Sequence, residues 1–384
     1  MHQYDLIVVG GGVMGTFTAY HALQAGKKVL LLEKDNFPVG ATVRNFGQIV
    51  PSGMAGRWFG FGAASLSIYK AIQAEYDISV RENGSVYIAS DTDEQTLIHE
   101  LHAHYETLGY PSVLLTARET LARYPALRPA YVKEALLFPG EISVEPEHMI
   151  GRLHIYMQQK FTDFTLLYDR AVTDCYAHQH GAAVRTADKH IYTAARVVVC
   201  SGYESKLLFP EIFKNSGITI SKLQMLRSAP LPGVALEGNI LTGLSIRRYE
   251  SFEQYCPSFG QIGVPGHYRE LKEWGIHILF KKALDGSIII GDSHEYAPID
   301  HFDHLTFTIS QRINELMIQE AQRIVDFDVH NIASAWVGFY PQHNEQQIFE
   351  ADPDACIAIR TGIGGKGMTA SAGYTRQLVE TLFA

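Results

Sequence analysis

An apolar run, Tyr4-Asp5-Leu6-Ile7-Val8-Val9, leads straight into Gly10-Gly11-Gly12-Val13-Met14-Gly15, and no other feature constrains the fold as tightly. A helix-forming segment from Thr16 to Ala25 follows, then a second apolar run, Lys28 to Leu32, that ends in Glu33. Strand, glycine turn, helix, strand and acid in this order make up a unit that holds an adenine dinucleotide. Gly10 makes the turn off the first strand, Gly12 lets backbone approach a pyrophosphate, and Gly15 lets the helix pack closely on the sheet. The pyrophosphate would rest on free N–H groups at the helix start, beside Val13 and Met14. Glu33, with Lys34 next to it, lies 18 residues past Gly15, close to the offset of about 20 expected of a ribose-binding acid. A carboxylate there accepts from ribose hydroxyls and repels a 2′-phosphate, which argues against NADP. A glycine-rich turn that binds nothing is the competing reading, and the ordered flanking elements disfavour it.

The chain has 384 residues, enough for two domains at about 150 residues each. A net charge of −9 argues against nucleic acid as the main partner, because phosphate binding needs a basic face. No apolar run approaches the ~18 residues needed to cross a bilayer, and Asp5 and three glycines break the N-terminal run, against a signal peptide or a membrane partner. Cys175, Cys200, Cys256 and Cys356 are widely spaced with no CxxC pair, so neither a disulfide framework nor a metal site is read, and a reducing cytoplasm fits. His99, His102 and His104 read as a solvated helix face, and His178, His180, His301 and His304 as turn residues.

Along the chain, helices are predicted over 57–76, 92–109, 116–124, 146–161, 307–325 and from about 368 to 382. Residues 78–90 suggest a hairpin turning at Glu82-Asn83-Gly84. Residues 165–200 suggest a β-meander ending at Ser201-Gly202, and strand patterns are expected to dominate from Leu223 to Ile290. Shorter strands are expected at 332–337 and 356–359. No internal repeat or low-complexity linker is visible, so the chain is expected to weave between a nucleotide domain and a mostly antiparallel one.

Three separated segments then point one way: the Gly10–Glu33 unit, the apolar strand Ala195–Cys200 closing in Ser201-Gly202, and the turn Thr361-Gly362-Ile363-Gly364-Gly365-Lys366-Gly367-Met368 before the last helix. Together they resemble the D-amino acid oxidase superfamily of FAD oxidoreductases, which includes glycine and sarcosine oxidases. The resemblance implies an α/β fold: an FAD-binding Rossmann-like three-layer domain (1–80, 145–222 and 330–384) interwoven with an α+β substrate domain (81–144 and 223–329) on a mostly antiparallel sheet. It implies FAD held by the Gly10, Gly12, Val13, Met14 and Gly15 turn and by Glu33 and Lys34. Arg44, Asn45 and Phe46 of the loop Val43–Gly47 would join them, with Val172 at the adenine and Ser201 and Gly202 close by. Gly364, Gly365, Lys366, Gly367 and Met368 would bring N–H groups to the flavin, where donors and a helix start stabilise its anionic reduced form.

Departures from the family pattern shape the expected chemistry. Monomeric sarcosine oxidases attach flavin through a cysteine near the segment that is Trp336–Pro341 here, which has none, so non-covalent FAD is expected. Amino acid oxidases of the superfamily often carry Gly-x-Arg-Pro there, the arginine gripping a carboxylate; this chain has Gly338-Phe339-Tyr340-Pro341. A lysine used by sarcosine oxidases corresponds to Thr369. Arg44, Tyr340 and Lys366 are the candidate catalytic residues, and Gln48, Arg247, Arg248 and Tyr340 the candidate substrate contacts. Arg247-Arg248, Lys281-Lys282, Arg227 and Lys222, all expected on strands, are replacements for the missing clamp. The pattern looks most like a branch associated with phosphonate breakdown. The implied reaction moves a hydride from the C–H beside an amine nitrogen to flavin N5. Imine hydrolysis follows, turning 2-aminoethylphosphonate or its N-methyl derivatives into phosphonoacetaldehyde, with oxygen or another acceptor reoxidising the flavin. Glycine, sarcosine or D-amino acid oxidation is the alternative within the family. A non-catalytic or electron-transfer flavoprotein is the alternative of another class.

Overall fold

The computed structural model describes residues 3–384. Five parallel strands form the centre of its first sheet, in the spatial order Ile357–Thr361, Ile191–Val199, Tyr4–Val9, Val29–Leu32 and Phe164–Leu167. Strand Tyr4–Val9 is flanked on both sides, with Val9 opposite Leu32 on one edge and Val199 on the other. Its apolar residues therefore sit at nearly zero exposure on both faces, as expected of a buried parallel strand. The meander Val172–His178, Gly181–Thr186 and Ile191–Val199 adds the expected antiparallel flap. Phe164–Leu167 is not part of that flap: it runs parallel beside Val29–Leu32, and Asp169 breaks the chain between the two with φ +55°.

Helices Val13–Gln24, Gly56–Glu75 and Gly367–Leu382 pack together against this sheet. The contact between the last two is backbone-close: a Cβ on Gly373 would run into the carbonyl of Phe61. His21, buried beneath them, has its Nε2 2.8 Å from the Ala372 carbonyl, and burial pushes it down to about 4.

A second sheet of nine strands is antiparallel except where Asn239–Leu241 runs alongside Ser85–Ala89. Its spine is Ile218–Ser228, paired along its whole length with Ile332–His343. That strand is twice the length read from sequence, and it lies in this sheet rather than with the nucleotide-binding strands. Two further expectations are corrected. Residues 78–90 make no hairpin: Ser85–Ala89 pairs with the distant Glu134–Phe138, and Arg81 bridges to Ser143. Nor do strands dominate 223–290, where short helices occupy Gly243–Ile246, Glu250–Tyr255 and Arg269–Glu273.

Glu141 is fully buried beside the loop that leads into the long helix Gly56–Glu75; it accepts from the Ser52 N–H (2.8 Å) and the Tyr110 hydroxyl (3.0 Å). Burial pushes its carboxyl up to about 7. The folded chain thus holds a proton between about pH 4.5 and 7 that the unfolded chain releases, so Glu141 lowers stability as pH rises across that window. Glu141→Gln should gain stability over wild type as pH is raised from 5 to 8, read by chemical denaturation at each pH. A difference that is flat with pH would refute the assignment.

Candidate functional site

The carboxyl ends of the parallel strands face the second sheet, and four of the five deliver one piece each of a shared wall. Gly10 follows Val9, Glu33 follows Leu32, Cys200–Gly202 follow Val199, and Gly362 follows Thr361. This is where open α/β sheets place ligands. A single cavity of about 500 Å³ runs from here to the inner face of the second sheet.

At its first end the glycine turn is locked by its neighbours. Gly10 N–H donates to the Leu32 carbonyl (2.8 Å), and its φ of +107° is open to glycine alone. Glu33, 6% exposed, accepts from Gly11 N–H (2.7 Å) and Asp35 N–H (3.1 Å), so its carboxylate is fixed against the turn. The Thr42 hydroxyl takes the Val13 N–H (2.9 Å), capping the helix from the loop that also carries Val43–Gly47, though Thr42 itself was not read as a site residue. Lys34, Met14, Gly15 and Val172 also line this end.

In the middle, the Thr361 hydroxyl donates to the Gly202 carbonyl (2.8 Å), tying two strand ends together. The turn Gly364–Lys366 precedes the helix Gly367–Leu382, whose first N–H groups have no partner within the helix. Asn45 holds its own loop, donating to the Ala41 and Thr42 carbonyls and accepting from Gly47 N–H. Phe46 and Met368 add apolar wall.

These residues fit FAD. A Cβ on Gly12 would meet only the Thr42 hydroxyl, and one on Gly365 would meet no protein atom within 4 Å, so both backbones are bare to the cavity. Ser201 Oγ and Gln48 Nε2, both on the wall, are buried without a hydrogen-bond partner among the described residues. Buried polar atoms of this kind call for a bound group.

The far end is built by the second sheet. Tyr340 is buried and opens on the cavity; burial raises its phenol well above the usual range, so it stays protonated. Thr369 lines the wall but is engaged in the fold, accepting from Val50 N–H (3.2 Å) and donating to the Gln48 carbonyl (3.3 Å). Lys366 pairs with Glu250 at 2.6 Å across the two halves of the site.

Several expected site residues stand elsewhere. Arg44 does not line the cavity: its Nε donates to the Val39 carbonyl (3.3 Å), and its own carbonyl receives the Trp336 indole (3.3 Å). Arg247 is also off the wall, held by Asp91 (2.6 Å) and the fully buried Glu94 (2.8 Å). Neither Arg247 nor Arg248 is on a strand; both follow the short helix Gly243–Ile246. Lys222, Lys281 and Arg227 are paired with Glu295, Glu145 and Asp285, and the Lys282 amine donates to the Val234 carbonyl (2.6 Å). Of these candidate replacements, Arg248 alone reaches the cavity, donating to the Gly275 carbonyl (3.0 Å) and the Tyr296 hydroxyl (3.3 Å).

Sequence reading missed the polar wall opposite, made of Tyr249, His277, Asp292 and His294. Burial pushes His294 down to about 4 and also lowers His277, so both imidazoles are neutral at pH 7. Burial opposes ionisation of Asp292, while the imidazoles of His277 and His294, when protonated, favour it.

With that geometry in view, comparisons with known proteins agree on a class. The profile of a family described as FAD dependent oxidoreductase (DAO) matches residues 5–381. The chain is 26% identical to the monomeric sarcosine oxidase of Streptomyces avermitilis over 60% of its own length and 59% of that protein's. It is 24% identical to the glycine oxidase of Geobacillus kaustophilus over 40% of the chain and 43% of that enzyme. It thus spans well under two thirds of each of these curated relatives. Over the whole chain, the crystal structure of the Geobacillus glycine oxidase superposes with a TM-score of 0.77 at 18% identity, covering 95% of that structure. An L-α-glycerophosphate oxidase from Mycoplasma pneumoniae with FAD bound superposes at 0.76 and 17% identity, covering 96% of its chain. At such identities the superpositions speak for the fold alone.

Proposed function

Because the chain belongs to the FAD dependent oxidoreductase family, we propose that it oxidises a small amine at the C–H next to nitrogen. The observation that carries this reading is the single cavity, which joins the glycine turn to a buried polar wall on the second sheet. Bound FAD would supply the hydride acceptor, and the imine product then hydrolyses to a carbonyl compound and an amine or ammonia. The chain's own part is placement and exclusion of water. Tyr340 and Tyr249 wall the far end, and the protonated Tyr340 offers a donor there.

The finer reading, a preference for 2-aminoethylphosphonate or its N-methyl derivatives, is supported by the two changed clamp positions, Tyr340 and Thr369. Glycine and sarcosine, named for the relatives, are the alternative substrates. A non-catalytic flavoprotein is disfavoured by so large a cavity, with polar side chains at its far end, beside the nucleotide motif. A reducing cytoplasm suits the four unpaired cysteines, and no helix among the described residues is long and apolar enough to cross a membrane.

Anaerobic mixing with a panel of small amines tests the activity. Flavin bleaching by at least one amine is expected; bleaching by dithionite but by none of the amines would reject it.

Non-covalent attachment is the companion expectation. Strand Ile332–His343 carries no cysteine, and Cys200, the one cysteine on the cavity wall, is kept a thiol by burial that pushes it up to about 12. Acid precipitation should leave yellow cofactor in the supernatant, and flavin retained in the pellet would contradict this.

A further inference from the structure

We propose that His277, Asp292 and His294 form a binding site for one divalent transition-metal ion of the zinc class, set in the cavity wall. Two neighbouring strands bring them together: His277 lies two residues before strand Leu279–Lys282, and Asp292 and His294 follow strand Ile288–Gly291. The His277 N–H donates to the Asp292 carbonyl (3.0 Å), fixing the two segments side by side.

The donor atoms converge on one point. Asp292 Oδ1 lies 2.8 Å from His277 Nε2 and 3.5 Å from His294 Nε2, and the three ligand atoms fall within 4.8 Å of one another. Bonds of about 2.0–2.1 Å to a tetrahedral ion separate its ligands by about 3.3 Å, close to this spacing. His277 and Asp292 are buried, with the Asp292 side chain 9% exposed, and the His294 side chain is 11% exposed. Asp292 Oδ1 and His294 Nε2 nonetheless have no hydrogen-bond partner of acceptable geometry among the described residues. Buried polar atoms that face one another without bonding lack a group between them.

Each imidazole is also held from behind. His277 Nδ1 is 3.1 Å from the Ser245 hydroxyl and His294 Nδ1 is 2.9 Å from the Ser221 hydroxyl. With Nδ1–H donating to serine, Nε2 keeps its lone pair for the ion, the outer-shell arrangement typical of metal-bound histidine. Two neutral imidazoles and a carboxylate suit zinc and its neighbours better than calcium or magnesium, which favour all-oxygen sites. Three protein ligands leave a position open, and it faces the cavity, since all three residues line it. Arg248, a cation on the same cavity, is turned to the Gly275 carbonyl and Tyr296 hydroxyl. The site does not depend on the amine-oxidase reading, because it is tested by binding alone.

The experiment uses chelator-treated, FAD-loaded protein dialysed against Zn²⁺, with metal per chain measured by elemental analysis. Co²⁺ in its place is read by absorption beyond the flavin bands. One equivalent is expected, with at least tenfold weaker binding in Asp292→Asn and in His294→Ala at unchanged flavin content. Ser221→Ala, which keeps all three ligands, should weaken binding about 10–100-fold. Absence of stoichiometric Zn²⁺, or affinity unchanged in Asp292→Asn and His294→Ala, overturns the site. Should those two variants lose flavin, unchanged affinity in Ser221→Ala overturns it instead.

Discussion

Gly10→Ala is expected to yield a chain that retains no FAD and is destabilised by roughly 2–6 kcal/mol, from backbone strain and overpacking together. Gly10 sits at φ +107°, and a Cβ there would be driven into the Cys200 carbonyl of the adjacent strand end. Neither obstacle can relax without separating Tyr4–Val9 from Ile191–Val199, which pair on the same edge. Gly12→Leu provides the contrast. Its first side-chain atom would meet only the Thr42 hydroxyl, which must give by a few tenths of an ångström, so the loss of stability should be much smaller than for Gly10→Ala. The remainder of the leucine projects where a pyrophosphate must lie, and flavin binding should be lost all the same. Flavin absorbance per chain after gel filtration, together with the denaturation midpoint, separates the two outcomes. A Gly12→Leu protein that stays yellow would mean the dinucleotide does not cross this turn.

That contrast shows what kind of information the sequence carries. The Gly10–Glu33 unit was legible because strand, turn and helix are contiguous, and each glycine answers a local steric demand. Helices such as Gly56–Glu75 and Pro146–Lys160 were legible for the same reason, within a residue or two at each end. Non-local pairing was not. Glu82-Asn83-Gly84 is a sound local turn signal, yet Ser85–Ala89 finds its partners some 50 and 150 residues away. The polar wall was hidden likewise: His277, Asp292 and His294 follow no ligand spacing, and only the neighbouring strand ends bring them together. Arg247 misled because charge alone does not reveal that Asp91 and Glu94 already claim it. Glu94, three residues after the helix-capping Asp91, was readable only as part of a helix start.

The remaining large effect concerns the substrate's anion. An α-carboxylate clamp would need a cation at 340 or 369, where the chain has a protonated phenol and a threonine hydroxyl committed to Gln48 and Val50. A phosphonate is wider, carries up to two charges and offers three acceptor oxygens, so dispersed donors suit it better than one fork. Arg248 is the arginine placed to serve. Two of its N–H groups are engaged, and a guanidinium has five. N-methyl-2-aminoethylphosphonate should therefore show a higher kcat/KM than sarcosine or D-alanine. Arg248→Ala should reduce that value by about 2 kcal/mol, roughly thirtyfold. This is the low end for a charge-paired contact, because Arg248 is exposed to solvent. Arg247→Ala should act differently, destabilising the fold by leaving Glu94 buried without its partner while the ranking of substrates stays the same. Sarcosine or D-alanine turning over as well as the phosphonate would place the anion contact elsewhere. A phosphonate preference that survives Arg248→Ala would move it from the arginine to the wall of Tyr340, Tyr249 and the two histidines.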